Sequence, residues 1–277
     1  MQKLVYNLLH FNECVYGQFT KTFREYGRRE CRKKLYFEST KEQLAQKKKV
    51  IFVKITAHSG CDNTPMNSKA YLEHAVQLPV DALEIDIRRA ADGTLILTHD
   101  AADDGSQLLL KDAFAIIAPS SLKVNCDLKE YRLEEDVLVL AQEAGIAKER
   151  ILFSGSVWAH KAGEWPEYLD PEQIYLNIEE LNHHIYDSLE QGGLPEQQEL
   201  EQAVELCVET GCKVINVNYH ICTPAFMTCC AEHGIGVSEW TPSTEEDLKK
   251  AVVLEPVNIT SRRPLLAKQI AAQTAER

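Results

Sequence analysis

Glu84, Asp86 and Arg88 alternate with Ile85 and Ile87. On an extended strand alternate side chains share a face, so two carboxylates and a guanidinium point one way and two isoleucines the other. Asn125-Cys126-Asp127-Leu128-Lys129 repeats the pattern, with Asp127 and Lys129 on one face and the apolar Cys126 and Leu128 on the other. Neighbouring buried carboxylates repel unless a proton or a cation stands between them. A hard divalent ion with oxygen ligands resolves that repulsion. Glu84, Asp86 and Asp127 are therefore candidate metal ligands, and Lys129 is a candidate cation for a phosphate oxygen. His58 closes an apolar run in Ala57-His58-Ser59-Gly60, and His99 does the same in Thr98-His99-Asp100. Two histidines beside a metal suit acid–base work on a phosphodiester, one deprotonating a nucleophile and the other protonating the leaving oxygen. Either could instead ligate the metal, a role the carboxylates already fill.

Such a constellation needs strands that end on one side of the molecule. Short apolar runs predict strands at 50–57, 82–87, 122–128, 150–153, 173–178, 213–217, 236–240 and 257–260. Helical spacing predicts helices near 68–77, 109–117, 133–144, 157–164, 197–209, 224–233, 244–252 and 265–273. An extra strand at 94–98 follows the second across Asp92-Gly93, a hairpin signal. Thr223-Pro224 and Ser243-Thr244-Glu245-Glu246 read as helix starts. Eight strands alternating with eight helices predict a (β/α)8 TIM barrel, whose active site lies at the C-terminal ends of the strands. The expected barrel spans 50–277, behind a basic extension at 1–49.

With these elements in place, the chain resembles the glycerophosphodiester phosphodiesterase family over roughly residues 51–266. The resemblance is carried by His58-Ser59-Gly60, by Glu84-Ile85-Asp86-Ile87-Arg88 through Asp92-Gly93 to His99-Asp100, and by Cys126-Asp127-Leu128-Lys129. It continues in Asn216-Val217-Asn218-Tyr219 with Thr223-Pro224, in Val237-Ser238-Glu239-Trp240-Thr241, and in the closing Asn258–Pro264 segment. It implies Ca²⁺ or Mg²⁺ on Glu84, Asp86 and Asp127, His58 and His99 as the acid–base pair, Lys129 on phosphate, and Trp240 lining the substrate pocket. The implied reaction releases glycerol phosphate and an alcohol through a cyclic phosphate that water opens. The chain departs from the family at three places. Ser59 replaces a phosphate-contacting arginine, Asp127 is one methylene shorter than the usual glutamate, and a capping insertion after the His-Asp pair is absent. Arg88 either substitutes for the missing cation or forms a structural salt bridge, and the pocket is expected to be open. Related substrates are lysophospholipid or sphingomyelin-type head groups; a catalytically weak binding protein is the reading from another class.

Net charge is −12, divided as +7 over residues 1–49 and −19 over the rest. An acidic body suits a divalent cation better than a nucleic-acid backbone, so nucleic acid is not expected as a partner; the small phosphodiester partner is what the resemblance implies. The basic, aromatic extension suits a solvated charge run, weak contact with a membrane surface, or a nucleic-acid arm. The nine cysteines are odd in number and contain no CxxC pair, which reads as reduced thiols. Leu4–Phe11 is too short and too interrupted for a signal peptide, so a cytoplasmic location is expected.

Overall fold

The computed structural model describes residues 53–101 and 105–275. The basic extension expected over 1–49 lies outside the described residues. Eight strands run parallel: β1 (Lys54–Ala57), β2 (Ala82–Arg89), β5 (Lys123–Leu128), β6 (Ile151–Gly155), β7 (Tyr175–Asn177), β8 (Val214–Asn218), β9 (Gly236–Trp240) and β10 (Asn258–Ser261). Each pairs with the next, β6 and β7 through the single bridge Phe153–Ile174, and β10 returns to β1. The sheet is a closed barrel, as the alternation predicts. Two antiparallel strands, β3 (Leu95–Leu97) and β4 (Leu108–Leu109), extend it beyond β2. The first is the expected hairpin partner, with Gly93 at φ 92° in the turn.

Helices α1 (Lys69–Ala75), α2 (Leu110–Ile117), α3 (Glu134–Glu143), the short α4 (Asp187–Glu190), α5 (Gln197–Thr210), α6 (Pro224–Glu232), α7 (Glu245–Val253) and α8 (Pro264–Ala275) lie around the barrel. Their starts are fixed locally. Ser68, Thr223 and Thr244 accept the N–H groups of Tyr71, Phe226 and Asp247, and Glu196 with Glu199 closes a capping box on α5. Each cap contributes about 1 kcal/mol. Ile85, Ile87, Cys126 and Leu128 are fully buried in the core, on the face that alternation assigns to the helices. Burying a side chain of the larger aliphatic kind stabilises by about 1.5–3 kcal/mol.

The helix expected at 157–164 does not form. Gly163 adopts φ 84° and Pro166 follows, and the segment instead covers the end of α5. The Ala162 N–H donates to Glu209 O at 2.9 Å, and Trp165 Nε1–H donates to Thr210 O at 2.7 Å. These bonds satisfy carbonyls that a helix terminus leaves without partners, and they compete with a helix in the segment that makes them.

The barrel interior carries a polar layer. Asn125 donates to Ser154 Oγ (3.0 Å), Asn216 to Asn177 Oδ1 (2.9 Å) and Asn258 to Ser238 Oγ (3.0 Å). Such a layer replaces the branched aliphatic fill usual in these barrels. It gives the strand ends fixed hydrogen-bonding partners.

Candidate active site

Strand register assembles the carboxylates. Glu84 stands opposite Asn125 and Asp86 opposite Asp127, so Asp86 and Asp127 share one level of the barrel and Glu84 lies one level below Asp86. Carboxylate oxygens of Glu84, Asp86 and Asp127 come within 4.8 Å of one another. Each is held by a neighbour. Glu84 Oε2 accepts the Ser59 N–H at 2.7 Å, Asp86 Oδ2 accepts from Asn67 Nδ2 at 2.8 Å, and Asp127 Oδ1 accepts from Ser154 Oγ at 3.0 Å. The Lys129 ammonium spans the pair, 2.8 Å from Asp86 Oδ1 and in close contact with Asp127 Oδ2.

Gly155 makes the close approach of β6 possible. It adopts φ 77°, and an added Cβ would lie 2.5 Å from Asp127 Oδ1 and closer still to Leu128 O. Only glycine meets both demands at low cost.

Electrostatics divide the three carboxylates. Burial, then the charges of Asp86 and Asp127, push Glu84 well above the ordinary carboxylate range. Burial raises Asp127 as well, against the pull of Lys129. Burial also pushes Asp86 upward, but the Lys129 charge and the hydrogen bonds from Lys129 and Asn67 outweigh it and hold Asp86 low. Lys129 is raised, because its two carboxylates outweigh its own burial. His58 is lowered, mainly by burial. Its Nδ1 lies 2.6 Å from Ser59 O and 3.9 Å from Glu84 Oε2. A carbonyl partner requires Nδ1 to donate, which leaves the Nε2 lone pair free in the neutral ring.

These groups line a cavity of about 410 Å³ together with His99, Trp240 and Arg262. His99 is half exposed, and its Nδ1 lies 2.9 Å from Asp100 Oδ1. Trp240 Nε1 is shielded from solvent without a hydrogen-bond partner among the described residues, and Tyr186 packs edge-on against its ring at 6.1 Å. Arg88 is not among the lining residues. Its Nε donates to His99 O at 3.0 Å and its Nη1 lies 3.3 Å from Glu130 Oε1, so it holds the segment that carries His99.

No family model matches the chain, and no curated protein matches it by sequence. Solved structures do match by shape. One from Agrobacterium tumefaciens, assigned as a glycerophosphoryl diester phosphodiesterase, is 14% identical with a TM-score of 0.61, over 82% of this chain and 100% of that one. A glycerophosphodiester phosphodiesterase from Parabacteroides distasonis is 15% identical with a TM-score of 0.58, over 80% and 98%. A phosphodiesterase from Oleispira antarctica, solved with its product sn-glycerol-3-phosphate, is 16% identical with a TM-score of 0.55, over 79% and 96%. The fold is that of the glycerophosphodiester phosphodiesterases.

Within this fold the donor set fits a hard divalent cation. Three carboxylates from two adjacent strands present oxygens alone, with no thiol or imidazole among them, which is the chemistry of Mg²⁺ or Ca²⁺ sites.

Four further residues, to which the sequence reading gave no role, shape the cavity. Asn67 bonds Asp86 twice, through its side chain and through the Asp86 N–H. Ser154 holds Asp127. Glu179, its carboxyl raised by burial, accepts from Asn177 at 2.9 Å and stands in the wall near Trp240. Arg262 stands at the mouth beside His58. Among the described residues no helix is long and apolar enough to cross a membrane, and the seven described cysteines are all free thiols.

Proposed function

We propose that the chain is a metal-dependent phosphodiesterase that cleaves glycerophosphodiesters to glycerol phosphate and an alcohol. The observation behind this reading is the convergence, in one cavity at the strand ends, of three carboxylates, one lysine and two histidines. A cation on Glu84, Asp86 and Asp127, either Mg²⁺ or Ca²⁺, would supply positive charge to the phosphoryl oxygens. Lys129 stands beside that position and adds a second positive charge. Arg262 at the mouth takes the place that Ser59 vacates, as the cation for the incoming phosphate.

His58 is suited to be the base. Burial keeps it neutral, and its Nδ1–H is anchored to Ser59 O, so Nε2 accepts the proton of the attacking substrate hydroxyl. The hydroxyl oxygen bonds to phosphorus, the bond to the leaving alkoxide breaks, and His99 supplies the proton that turns the alkoxide into an alcohol. The cyclic phosphate then opens by water with the two histidines in reversed roles. Asp100 orients the His99 ring and Arg88 its backbone.

A second reading rests on a neighbouring groove of about 940 Å³, which joins the first cavity through His58, His99 and Arg262. Met66, Leu97, Leu108 and Leu109 give it apolar wall, which suits the acyl chain of a lysophospholipid.

The test is product release by purified protein from glycerophosphocholine and from lysophosphatidylcholine, with Mg²⁺, with Ca²⁺ and with chelator. Metal-dependent glycerol phosphate supports the first reading. Activity on the lysolipid alone supports the second. Silence on both, with the protein folded, would move the chain to a binding role.

A further inference from the structure

A second group of ligand atoms gathers on the far side of the loop that follows His58. Cys61 and Asp62 stand in the 3-10 turn Cys61–Asn63, and His74 in the last turn of α1. His74 Nε2 lies 2.9 Å from Asp62 Oδ2, and sulfur, oxygen and nitrogen donors of the three residues all come within 4.8 Å of one another. We propose that Cys61, Asp62 and His74 form a zinc site, separate from the carboxylate cluster, that clasps the β1–α1 loop to α1.

The donor set decides the ion. One thiol, one imidazole and one carboxylate suit borderline-soft Zn²⁺, whereas the all-oxygen cluster suits hard Mg²⁺ or Ca²⁺. The two sites therefore select different metals. The geometry is close to what zinc needs. Bonds of about 2.0–2.1 Å to nitrogen and oxygen and about 2.3 Å to sulfur, at tetrahedral angles, place the ligand atoms about 3.3 to 3.6 Å apart. The His74–Asp62 pair has to open by about 0.4 Å, and the sulfur has to close by about 1.2 Å at most.

Access is one-sided. Cys61 is fully buried, while Asp62 and His74 are partly exposed above it, so an ion enters from solvent and keeps water as its fourth ligand. Burial holds the Cys61 thiol up at about 12. Binding exchanges its proton for the metal: the S–Zn bond forms as H⁺ leaves to solvent.

The loop has use for a clasp. Asp62 and Asn63 adopt φ 52° and 64°, a left-handed conformation that side-chain-bearing residues disfavour, and a partly exposed Asp–His pair offsets little of that strain. The same loop positions the cavity. Cys61 N–H donates to His58 O and Asp62 N–H to Arg262 O, both at 2.9 Å.

Full-length protein stripped of metal and titrated with Co²⁺ gives the test, because a cobalt–thiolate bond adds a charge-transfer band in the near ultraviolet. The expected result is a band saturating at one Co²⁺ per chain and displaced by Zn²⁺, with a rise in melting temperature. It should persist in Asp86→Asn, which disables the carboxylate cluster alone, and vanish in Cys61→Ser. His74→Ala, a surface change that leaves the core intact, should weaken Co²⁺ binding by more than the roughly 10- to 100-fold typical of losing an outer-sphere partner. A folded parent protein with no thiolate band, or a band that survives Cys61→Ser, would overturn the assignment.

Discussion

Replacing Glu239 by glutamine should stabilise the protein at alkaline pH more than in mild acid. Glu239 lies on β9 between Ser238 and Trp240, so alternation turns it away from the cavity toward the helices. It is 1% exposed, and among the described residues the Cys222 thiol is the polar group set against its carboxyl group. Burial raises its pKa to about 7, with the neighbouring Cys222 thiol pulling back only part of the rise. An unfolded glutamate titrates near 4.3. The folded value is the higher one, so the folded state holds a proton that the unfolded state releases. The contribution is fully present below the unfolded pKa and is lost as pH rises through the folded one. The gap between the folded and unfolded values corresponds to about 4 kcal/mol at high pH. Between about pH 5.5 and about pH 8 the stability gap between variant and parent should widen by about 2 kcal/mol. Urea unfolding followed by circular dichroism across that range measures it. A buried amide in place of a carboxyl group shifts both ends equally, so the slope carries the test. A gap that stays constant with pH would refute the reasoning.

Asp86→Asn should remove metal-dependent turnover and weaken Mg²⁺ or Ca²⁺ binding in calorimetry; unchanged affinity would count against the carboxylate cluster. His58→Ala should lower kcat by on the order of 10²-fold or more with metal binding intact, and in the parent the acid limb of the kcat/KM profile should fall below the ordinary histidine value of about 6.5, since burial lowers His58. Lys129→Met should leave Asp86 and Asp127 without their shared cation and destabilise the metal-free protein by about 1–3 kcal/mol, a loss that added Mg²⁺ or Ca²⁺ recovers in thermal melts. Gly155→Ala should destabilise the fold and weaken metal binding together, because its Cβ would meet Leu128 O and Asp127 Oδ1; a variant with parental stability and affinity would show that β6 can retreat.

The parts of the site legible in the sequence are those governed by period two within one strand. Glu84 with Asp86, and Asp127 with Lys129, can be placed on a face because Ile85, Ile87, Cys126 and Leu128 between them are apolar. What joins the two strands is register across the barrel, and no spacing records it. Asn67, Ser154, Glu179 and Arg262 each come from a different segment and meet the site only when the sheet closes. Arg88 shows the limit of alternation in another way. It follows Asp86 by two residues, but there β2 has left the barrel to pair with β3, and its guanidinium reaches the His99 carbonyl and Glu130 instead of the cavity. The expected helix at 157–164 fails for a similar reason. Its apolar spacing is helical, yet its backbone and Trp165 are engaged by the end of α5, over 40 residues away.

Ser59 gains its meaning from the same network. It is fully buried, its N–H holds Glu84, and its hydroxyl lies 3.0 Å from Asn67 Oδ1 and accepts the Asn67 N–H at 2.8 Å. Asn67 in turn holds Asp86. A serine here positions two of the three carboxylates through short bonds, a task for which a long, charged side chain is unsuited, so the phosphate-facing cation has to come from elsewhere in the cavity. The charges set how much cation is needed. Three ionised carboxylates against one lysine leave this cluster at −2, which repels a phosphodiester anion; burial first, and then the charges of neighbouring carboxylates, raise Glu84 and Asp127 toward taking up protons. One divalent ion held there would bring the cluster to neutrality and offset the repulsion among the carboxylates. Arg262 at the mouth then becomes the unbalanced charge that a phosphodiester meets first. On the proposed function, a metal would be a condition for binding the substrate as well as for cleaving it, and chelation should raise KM along with lowering kcat.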